Sequence, residues 1–322
     1  MTELCRTLDA TRRTITTEVA GEAIGGCPAD QILARPLETD AGLLPSFFII
    51  GPPRTGSSWL HEVLRRHTLL PSPSKETRFF DTHFHRGMKW YLAHYQQSGA
   101  GRRMGEVAPT YFASALARER MALTVPQAKI VCVFRNPVDR IVSLYRVKRA
   151  YGWIPWSFTE AIEHDPELME SGRYASTLKL WRCSFGAENV MAAVYDDLQE
   201  DPQSFVDAVV DFIGVQRFVL ADWQRGFVHD SDRMTQPRSY YRTRTATIVA
   251  NWFKARRLDS AVSAFKRSRL RKLVLGGGAP FPKLSPELLV QLQKTFQPEV
   301  EELEEMLQRD LSGWKVREEN VS

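Results

Sequence analysis

Short apolar segments alternate with longer amphipathic ones along this chain of 322 residues. The short segments are predicted as strands because they are brief and, in the clearest case, rich in β-branched residues. Four strands are predicted, over Phe47–Ile50, Met104–Val107, Lys129–Phe134 and Asn189–Tyr195. Three of the predicted helices cover Val138–Ala150, Pro202–Ile213 and Pro286–Leu311. This alternation predicts an α/β fold, in which a central and mainly parallel sheet lies between two layers of helices.

The segment between the first strand and the next helix has the spacing of a phosphate-binding loop. Gly51 and Gly56 form a G-x-x-x-x-G pattern, and Ser57 and Ser58 follow where a helical pattern begins. This order directs backbone N–H groups and the positive end of a helix dipole towards an anion. A Walker loop has lysine after the second glycine, whereas the cation here, Arg54, lies inside the loop. We predict a P-loop-like fold and a ligand with a compact phosphate group that reacts without a metal. An ordinary strand–turn–helix without a ligand is the alternative.

A second candidate anion site follows the strongest predicted strand. Arg135 comes directly after Phe134, and Pro137 suits the first position of the helix that carries Ser143. Ligands of parallel sheets bind beyond the carboxyl ends of the strands, so Arg135 and Ser143 are expected to face the same crevice as the loop. The planar donor fork of arginine suits a phosphate. The alternative is a structural ion pair for Arg135 and a surface position for Ser143.

The charge of the chain is mild overall but unevenly distributed. The formal net charge is +5, and 43% of the residues are hydrophobic, which allows a large core. Residues 217–273 contain fourteen Lys or Arg and four Asp, so this basic segment alone carries +10. Such a segment suits an anionic ligand, an acidic substrate or a nucleic acid. A solvated surface segment is the alternative.

The terminal regions and the cysteines add little. Residues 1–40 are mixed in composition and give no structural prediction, whereas residues 41–322 are predicted to form a single domain. The N-terminus lacks the apolar core typical of a signal peptide, and no run of eighteen apolar residues occurs, so no membrane span is expected. No cysteines have the spacing of a zinc site. We expect a cytoplasmic protein, and the oligomeric state is not predicted.

Several motifs together resemble those of sulfotransferases that use 3′-phosphoadenosine 5′-phosphosulfate (PAPS) as donor. Arg54–Trp59 resembles their 5′-phosphosulfate loop, and Arg135 with Ser143 resembles their 3′-phosphate site. Lys75–Asp81 is similar to the K-E-x-x-F-F-D stretch of the heparan-type and related bacterial carbohydrate sulfotransferases. Three further segments continue the similarity in the same order: Glu106–Phe112, Gly172–Tyr174 and Val194–Leu198. The likeness covers roughly residues 46–215.

The resemblance implies transfer of a sulfuryl group from PAPS to a hydroxyl of a carbohydrate or small natural product. Arg54 would stabilise the leaving group, and Glu76 would accept the proton of the acceptor. The residues implied in donor binding are Arg54, Thr55, Gly56, Ser57, Ser58, Trp59, Arg135, Ser143 and Tyr174. Of these, Trp59 and Tyr174 are the candidates for stacking on the adenine ring.

The implied base needs a suitable pKa. A carboxylate is a weak base unless burial or neighbouring charges raise its pKa. Lys75 and Arg78 flank Glu76 and would oppose such a rise if they lie close. Three histidines are rival candidates for the base, namely His61, His83 and His85.

The sequence also departs from the family pattern. In the carbohydrate branch a lysine often follows the glutamate at the Glu106 position, but Val107 stands there. Its work could fall to Lys75, Arg78 or the basic segment, which could also act as a lid over the donor. Two other functions stay open. One is a P-loop nucleotide kinase or hydrolase, which would need the absent Walker lysine. The other is a non-catalytic protein that binds anions or nucleic acid, whereas no nucleic-acid partner is expected of a sulfotransferase.

Overall fold

The computed structural model describes residues 44–95, 101–225, 234–255 and 278–316. The strands within these ranges are β1 (Phe47–Ile49), β2 (Gly105–Val107), β3 (Lys129–Phe134) and β4 (Val190–Val194). They form one sheet in the order β2-β1-β3-β4, and every neighbouring pair is parallel. All of them lie where the apolar segments predict strands, so the predicted α/β fold with a parallel sheet is confirmed.

Helices lead from each parallel strand to the next, because parallel neighbours need a crossover connection. The described helices are α1 (Ser57–Leu64), α2 (Gly87–Leu92), α3 (Ala115–Thr124), α4 (Pro137–Ala150), α5 (Phe158–His164), α6 (Pro166–Glu170), α7 (Tyr174–Phe185), α8 (Tyr195–Glu200), α9 (Pro202–Ile213), α10 (Asp222–Arg225), α11 (Tyr240–Ala255) and α12 (Pro286–Leu307). A short π-helical turn covers Phe79–His83, and 3₁₀ turns cover Phe84–Arg86, Pro109–Tyr111, Ala187–Asn189 and Ser312–Trp314.

Alternate residues of the central strands face opposite helical layers, as the two-residue period of a strand requires. On one face, Val131 lies in a buried cluster with apolar side chains of α1 and α9. On the other face, Phe48 packs edge to face on Phe80, and Phe134 packs in the same way on Phe112. The predicted arrangement of a sheet between two helical layers is therefore confirmed.

The chain leaves β1 at a position that requires glycine. A Cβ atom at Gly51 would lie 2.5 Å from the backbone nitrogen of Val133 in β3. Two backbones can approach this closely only where one of them has no side chain. The loop after β1 therefore starts against the last residues of β3, close to the point where Arg135 follows that strand.

Some predictions differ from the structure or fall outside the described residues. The predicted C-terminal helix ends at Leu307 because Gln308 adopts a left-handed conformation with φ 51°. In the basic segment, residues 226–233 and 256–273 lie outside the described ranges. The chain divides into two units, Met1–Leu44 and Pro45–Ser322, and the site described below belongs to the second. The predicted single domain over residues 41–322 stays a prediction. None of the described helices is both long and apolar enough to cross a membrane.

Candidate active site

A cavity lies at the carboxyl edge of the sheet, beyond the ends of β1, β3 and β4. Its lining comes from the loop after β1, the first turn of α1, the residue after β3 and the start of α8. The lining residues are Arg54, Gly56, Ser57, Ser58, Trp59, Arg135, Tyr195 and Leu198. The loop and Arg135 therefore meet in one cavity, because strand ends converge at this edge of a parallel sheet. Ser143, the other residue of the second candidate anion site, is buried and is not among the lining residues.

The loop leads into the uncapped N-terminus of α1. Arg54 has φ 78° and Gly56 has φ 93°, so both adopt the left-handed conformation. A Cβ atom at Gly56 would lie 3.0 Å from Cδ2 of Leu198, a tight contact, and its φ value strains any residue other than glycine. Among the described residues, no side chain caps the helix that begins at Ser57. Its first backbone N–H groups are therefore available to an anion in the cavity.

Arg54 and Arg135 bring positive charge into the cavity. Nε of Arg54 donates a hydrogen bond to Oγ of Ser143 at 2.9 Å, which ties the loop to α4. The Arg135 guanidinium lies 5.0 Å from the centre of the Tyr195 ring. Burial lowers the pKa of Arg54, and the charge of Arg135 lowers it further. Neither arginine forms an ion pair with a carboxylate of the described residues, so an anion would relieve their mutual repulsion.

Thr55 and Trp59 form hydrogen bonds that stabilise the loop and the start of α1. Thr55 is buried, and its hydroxyl donates to the carbonyl oxygen of Pro52 at 2.8 Å. The indole N–H of Trp59 donates to the carbonyl oxygen of Gln224 at 2.8 Å, and the residue also lines the cavity. The Thr55 side chain therefore stabilises the shape of the loop, whereas Trp59 both anchors α1 and contributes cavity surface.

Tyr174 does not reach the cavity, which corrects the expectation that it could stack on a ligand. Its side chain is fully buried, and its ring packs against Phe134 with 5.0 Å between the ring centres. Its hydroxyl donates to the carbonyl oxygen of Arg135 at 2.9 Å. Because no face of the ring is open, Tyr174 supports the backbone at Arg135 instead.

Tyr195 is the aromatic cavity residue that the sequence analysis missed. It comes directly after β4 and begins α8, and it lines the cavity beside Arg135. The sequence could have indicated Tyr195. Ligands of parallel sheets bind beyond the carboxyl ends of the strands, and this rule selects the residue after β4 as well as Arg135 after β3. Leu198, one turn further along α8, was missed as well.

Lys75 connects the loop to the candidate base. Its Nζ donates to Oγ of Ser58 at 3.3 Å and lies 3.5 Å from Oε1 of Glu76. Burial lowers the pKa of Lys75. Burial also raises the pKa of Glu76, although the charges of Lys75 and Arg78 act in the opposite direction. The pKa of Glu76 therefore shifts in the direction that strengthens a carboxylate as a base.

The rival histidines fit the role of base less well. His61 is half-buried, and burial together with the charge of Lys75 lowers its pKa to about 4. That shift makes His61 a weaker base than an ordinary imidazole. Burial also lowers the pKa of His83, whose ring packs against Trp90 with 5.4 Å between the ring centres. His85 is exposed.

Glu106 in β2 lies behind the segment that carries Glu76. It is fully buried, and its Oε1 accepts hydrogen bonds from the backbone N–H of Thr77 at 2.7 Å and from the Thr77 hydroxyl at 2.8 Å. Its Oε2 accepts from the hydroxyl of Tyr91 at 2.9 Å. Burial raises the pKa of Glu106 to about 7, against the effect of these hydrogen bonds. Because Val107 carries no charge, it supplies no cation beside this carboxylate.

Comparison with known proteins identifies the family. A model of the sulfotransferase domain matches residues 44–305. The chain belongs to the sulfotransferase family. Bifunctional heparan sulfate N-deacetylase/N-sulfotransferase 2 of Bos taurus is 28% identical over 213 residues, which cover 59% of this chain and 24% of that protein. Bifunctional heparan sulfate N-deacetylase/N-sulfotransferase 1 of Mus musculus is 30% identical over 194 residues, which cover 53% of this chain and 22% of that protein. The match thus spans about a quarter of the length of these curated relatives.

A solved sulfotransferase shares the fold of this family member. The crystal structure of the sulfotransferase from Alicyclobacillus acidocaldarius superimposes with a TM-score of 0.59 at 23% identity. The superposition covers 84% of this chain and 98% of that chain. It supports the P-loop-like α/β fold that the glycine loop predicts.

The pKa of Glu106 predicts how stability depends on pH. The pKa is about 7 in the folded protein and 4.5 for an unperturbed glutamate. The folded state therefore holds this proton more tightly, so the contribution to stability is fully present below pH 4.5 and is lost as the pH rises through about 7. Between pH 5 and pH 8 the free energy of unfolding should fall by about 2 to 3 kcal/mol in the parent relative to Glu106→Gln. Urea unfolding of both proteins across this range measures the difference, and parallel curves would contradict it.

Proposed function

We propose that this sulfotransferase domain moves a sulfuryl group from PAPS to an acceptor, with Glu76 as base and Arg54 at the leaving group. The observation that carries the proposal is the single cavity in which Arg54, Arg135 and the uncapped start of α1 meet. PAPS carries a 5′-phosphosulfate and a 3′-phosphate on one nucleoside. It therefore needs two anion sites in one cavity, and a simple phosphate ligand would need only one.

Each part of the lining suits one part of the donor. The first N–H groups of α1, with Ser57 and Ser58, suit the 5′-phosphosulfate. The guanidinium of Arg135 suits the 3′-phosphate. Ser143 is buried and is not among the lining residues, so it positions Arg54 instead, whose Nε donates to its hydroxyl. The aromatic side chains of Trp59 and Tyr195 line the same cavity and offer surface on which a purine can stack.

The proposed reaction balances without any oxidation or reduction. Glu76 takes the proton of the acceptor hydroxyl or amine while the acceptor atom forms a bond to sulfur. The bond between sulfur and the bridging phosphate oxygen breaks, and its electron pair stays on the phosphate of adenosine 3′,5′-bisphosphate. Arg54 stabilises that developing charge by electrostatics and hydrogen bonding, because a guanidinium scarcely gives up its proton.

We assign to Lys75 the cationic role that Val107 cannot fill. Its Nζ lies within 3.5 Å of both the Ser58 hydroxyl and the Glu76 carboxylate, so it sits between the donor loop and the base. Arg78 is the weaker candidate, because its side chain is exposed and pairs with Asp81 at 3.2 Å.

The proposed acceptor is a carbohydrate hydroxyl or amine, with a small natural-product hydroxyl as the second possibility. Relatives named as heparan sulfate N-deacetylase/N-sulfotransferases support the carbohydrate class. A cytoplasmic location and the lack of a nucleic-acid partner belong to the same proposal.

The carboxylates after β4 argue against a P-loop kinase. Asp196 accepts a hydrogen bond from the indole N–H of Trp314 at 3.0 Å, and Asp197 pairs with Arg309 at 2.5 Å. Both side chains are thus engaged with the C-terminal part of the chain. A P-loop kinase instead directs an acidic residue from such a strand end towards Mg²⁺.

Calorimetric titration with adenosine 3′,5′-bisphosphate, ATP–Mg²⁺ and an oligonucleotide tests the function. We expect the bisphosphate to bind without a metal and more tightly than the other two ligands. Arg135→Ala should weaken that binding by about 10- to 100-fold, because a charged hydrogen-bond donor is lost. Arg65→Ala is the matched control, since Arg65 is exposed, follows the last residue of α1 and pairs with Glu62. Preference for ATP–Mg²⁺ would support a kinase, and preference for the oligonucleotide would support a nucleic-acid binder.

Removal of the base should separate catalysis from donor binding. Glu76→Gln should reduce sulfuryl transfer to a small residual rate and leave the affinity for the bisphosphate intact, because the amide cannot take the acceptor proton. The exposed residue Glu163 provides the control, and Glu163→Gln should keep full activity. Transfer assays with labelled donor measure both variants, and substantial transfer by Glu76→Gln would assign the base to another residue.

Loss of the lysine cation should lower turnover more than binding. Lys75→Met keeps most of the side-chain volume but removes the charge, and kcat should fall on the order of 10- to 100-fold. Lys89 is an exposed lysine of α2, so Lys89→Met tests the general effect of the substitution and should not change kcat. An unchanged kcat in Lys75→Met would remove this lysine from the proposed mechanism.

A further inference from the structure

The segment that carries Glu76 is held from inside the protein by the carboxylate of Glu106. Oε1 of Glu106 accepts hydrogen bonds from the backbone N–H of Thr77 at 2.7 Å and from its hydroxyl at 2.8 Å. The same hydroxyl accepts a hydrogen bond from the backbone N–H of Phe79 at 3.1 Å. The N–H of Phe79 is thus connected to Glu106 through a single hydroxyl group.

The other oxygen of Glu106 holds the next residue of the segment. The hydroxyl of Tyr111 accepts a hydrogen bond from the backbone N–H of Phe80 at 3.3 Å and donates to Oε2 at 3.4 Å. The hydroxyl of Tyr91 donates to the same oxygen at 2.9 Å. Three backbone N–H groups, at residues 77, 79 and 80, therefore lead directly or through one hydroxyl to a single carboxylate.

The peptide bond that follows Glu76 is held at both ends. Its N–H belongs to Thr77 and donates to Glu106, and its carbonyl oxygen belongs to Glu76 and accepts from Oγ of Ser74 at 2.8 Å. Because a peptide unit is planar and stiff, these two bonds fix its orientation. The direction in which the chain leaves the Cα atom of Glu76 is fixed with it.

Burial of Glu106 is unfavourable on its own, which points to a use for this carboxylate. The side chain has 0% exposure to water, and none of the ion pairs between described residues involves it. A buried charge costs more free energy than a well-packed apolar side chain at the same place. Hydrogen-bond donors surround the two oxygens, so the carboxylate is matched to its surroundings as a common acceptor.

We propose that Glu106 is a positioning residue that sets the orientation of Glu76 through the backbone of residues 76–80. The proposal rests on the proposed function, in which Glu76 is the base. Glu106 touches neither donor nor acceptor in this arrangement, because the segment that carries Glu76 lies between it and the reacting atoms. Its effect is therefore expected on kcat and not on donor affinity.

Hydrogen exchange tests whether Glu106 holds the backbone of residues 76–80, and this measurement does not depend on activity. In Glu106→Gln the amide oxygen can still accept from Thr77, but the NH₂ group faces hydroxyls that previously donated to Oε2. Backbone exchange in the peptide that spans residues 76–80 should accelerate about tenfold, as expected for weakening of one buried hydrogen bond. Exchange of Lys129–Phe134 in β3 provides the internal reference and should not change. Unchanged exchange at residues 76–80 would overturn the proposal.

Kinetic measurements test whether the hydrogen bonds of Glu106 position the proposed base, Glu76. Glu106→Gln should lower kcat on the order of 10- to 100-fold, as a small displacement of a catalytic group can, with unchanged affinity for adenosine 3′,5′-bisphosphate. Added to Glu76→Gln, the same change should lower the residual transfer no further, because the base it positions is already gone. A general structural defect would instead weaken bisphosphate binding or lower the residual rate again, and either result would overturn the proposal.

A second variant keeps the test valid if Glu106→Gln fails to fold. Thr77→Val removes the hydroxyl that links Phe79 to Glu106 and keeps the backbone N–H, so it should accelerate exchange at residues 76–80 and lower kcat. Thr68→Val is the matched control, since Thr68 is equally buried and its hydroxyl bonds to the carbonyl oxygen of Leu64. Equal effects of the two valine variants would overturn the proposal. A parent protein that lacks transfer activity would contradict the proposed function instead. The exchange comparison would still show whether Glu106 holds the backbone of residues 76–80.

Discussion

Two arginine side chains, held in one cavity without a carboxylate partner among the residues that the structure describes, are the constraint on which this site depends. Burial and the charge of Arg135 both lower the pKa of Arg54, so the folded protein maintains a repulsive arrangement. Other contacts hold it in place: Arg54 is bound to Ser143, and Arg135 rests on the ring of Tyr195 and on a backbone supported by Tyr174. A ligand with two anionic groups would compensate both charges, and its binding would stabilise the fold by mass action.

The sequence predicts the fold well because the sheet is parallel and buried on both faces. Such strands appear as short apolar segments that are easy to locate, and Lys129–Phe134 is both the clearest segment and a complete strand. Once the strands are placed, one rule brings their carboxyl ends to the same edge. That rule alone brings the loop and Arg135 together, although they lie about eighty residues apart in the chain.

Which face of a helix is buried could not be predicted in the same way. Tyr174 and Tyr195 both begin helices, yet Tyr174 packs behind β3 while Tyr195 lines the cavity. The difference depends on how each helix packs against the sheet, and short helices carry little periodic signal. The direction of the pKa shift of Glu76 could not be predicted from the sequence either. Its neighbours in sequence are cations, but Arg78 is directed towards Asp81 and burial outweighs the effect of Lys75.

The arginine in the loop changes how the chemistry is divided among the residues. A lysine at that position could both stabilise charge and give up a proton, whereas Arg54 can only stabilise charge. In the proposed mechanism, proton transfer then involves Glu76 and Lys75, whose charged groups are 3.5 Å apart. Burial raises the pKa of Glu76 and lowers that of Lys75, so the two values move towards each other. The higher pKa of Glu76 lowers the free-energy cost of taking the acceptor's proton, and the lower pKa of Lys75 makes its ammonium group a better proton donor. In the proposed mechanism a fixed backbone at Glu76 matters, because a general base acts only while it stays within hydrogen-bond distance of the proton that it takes.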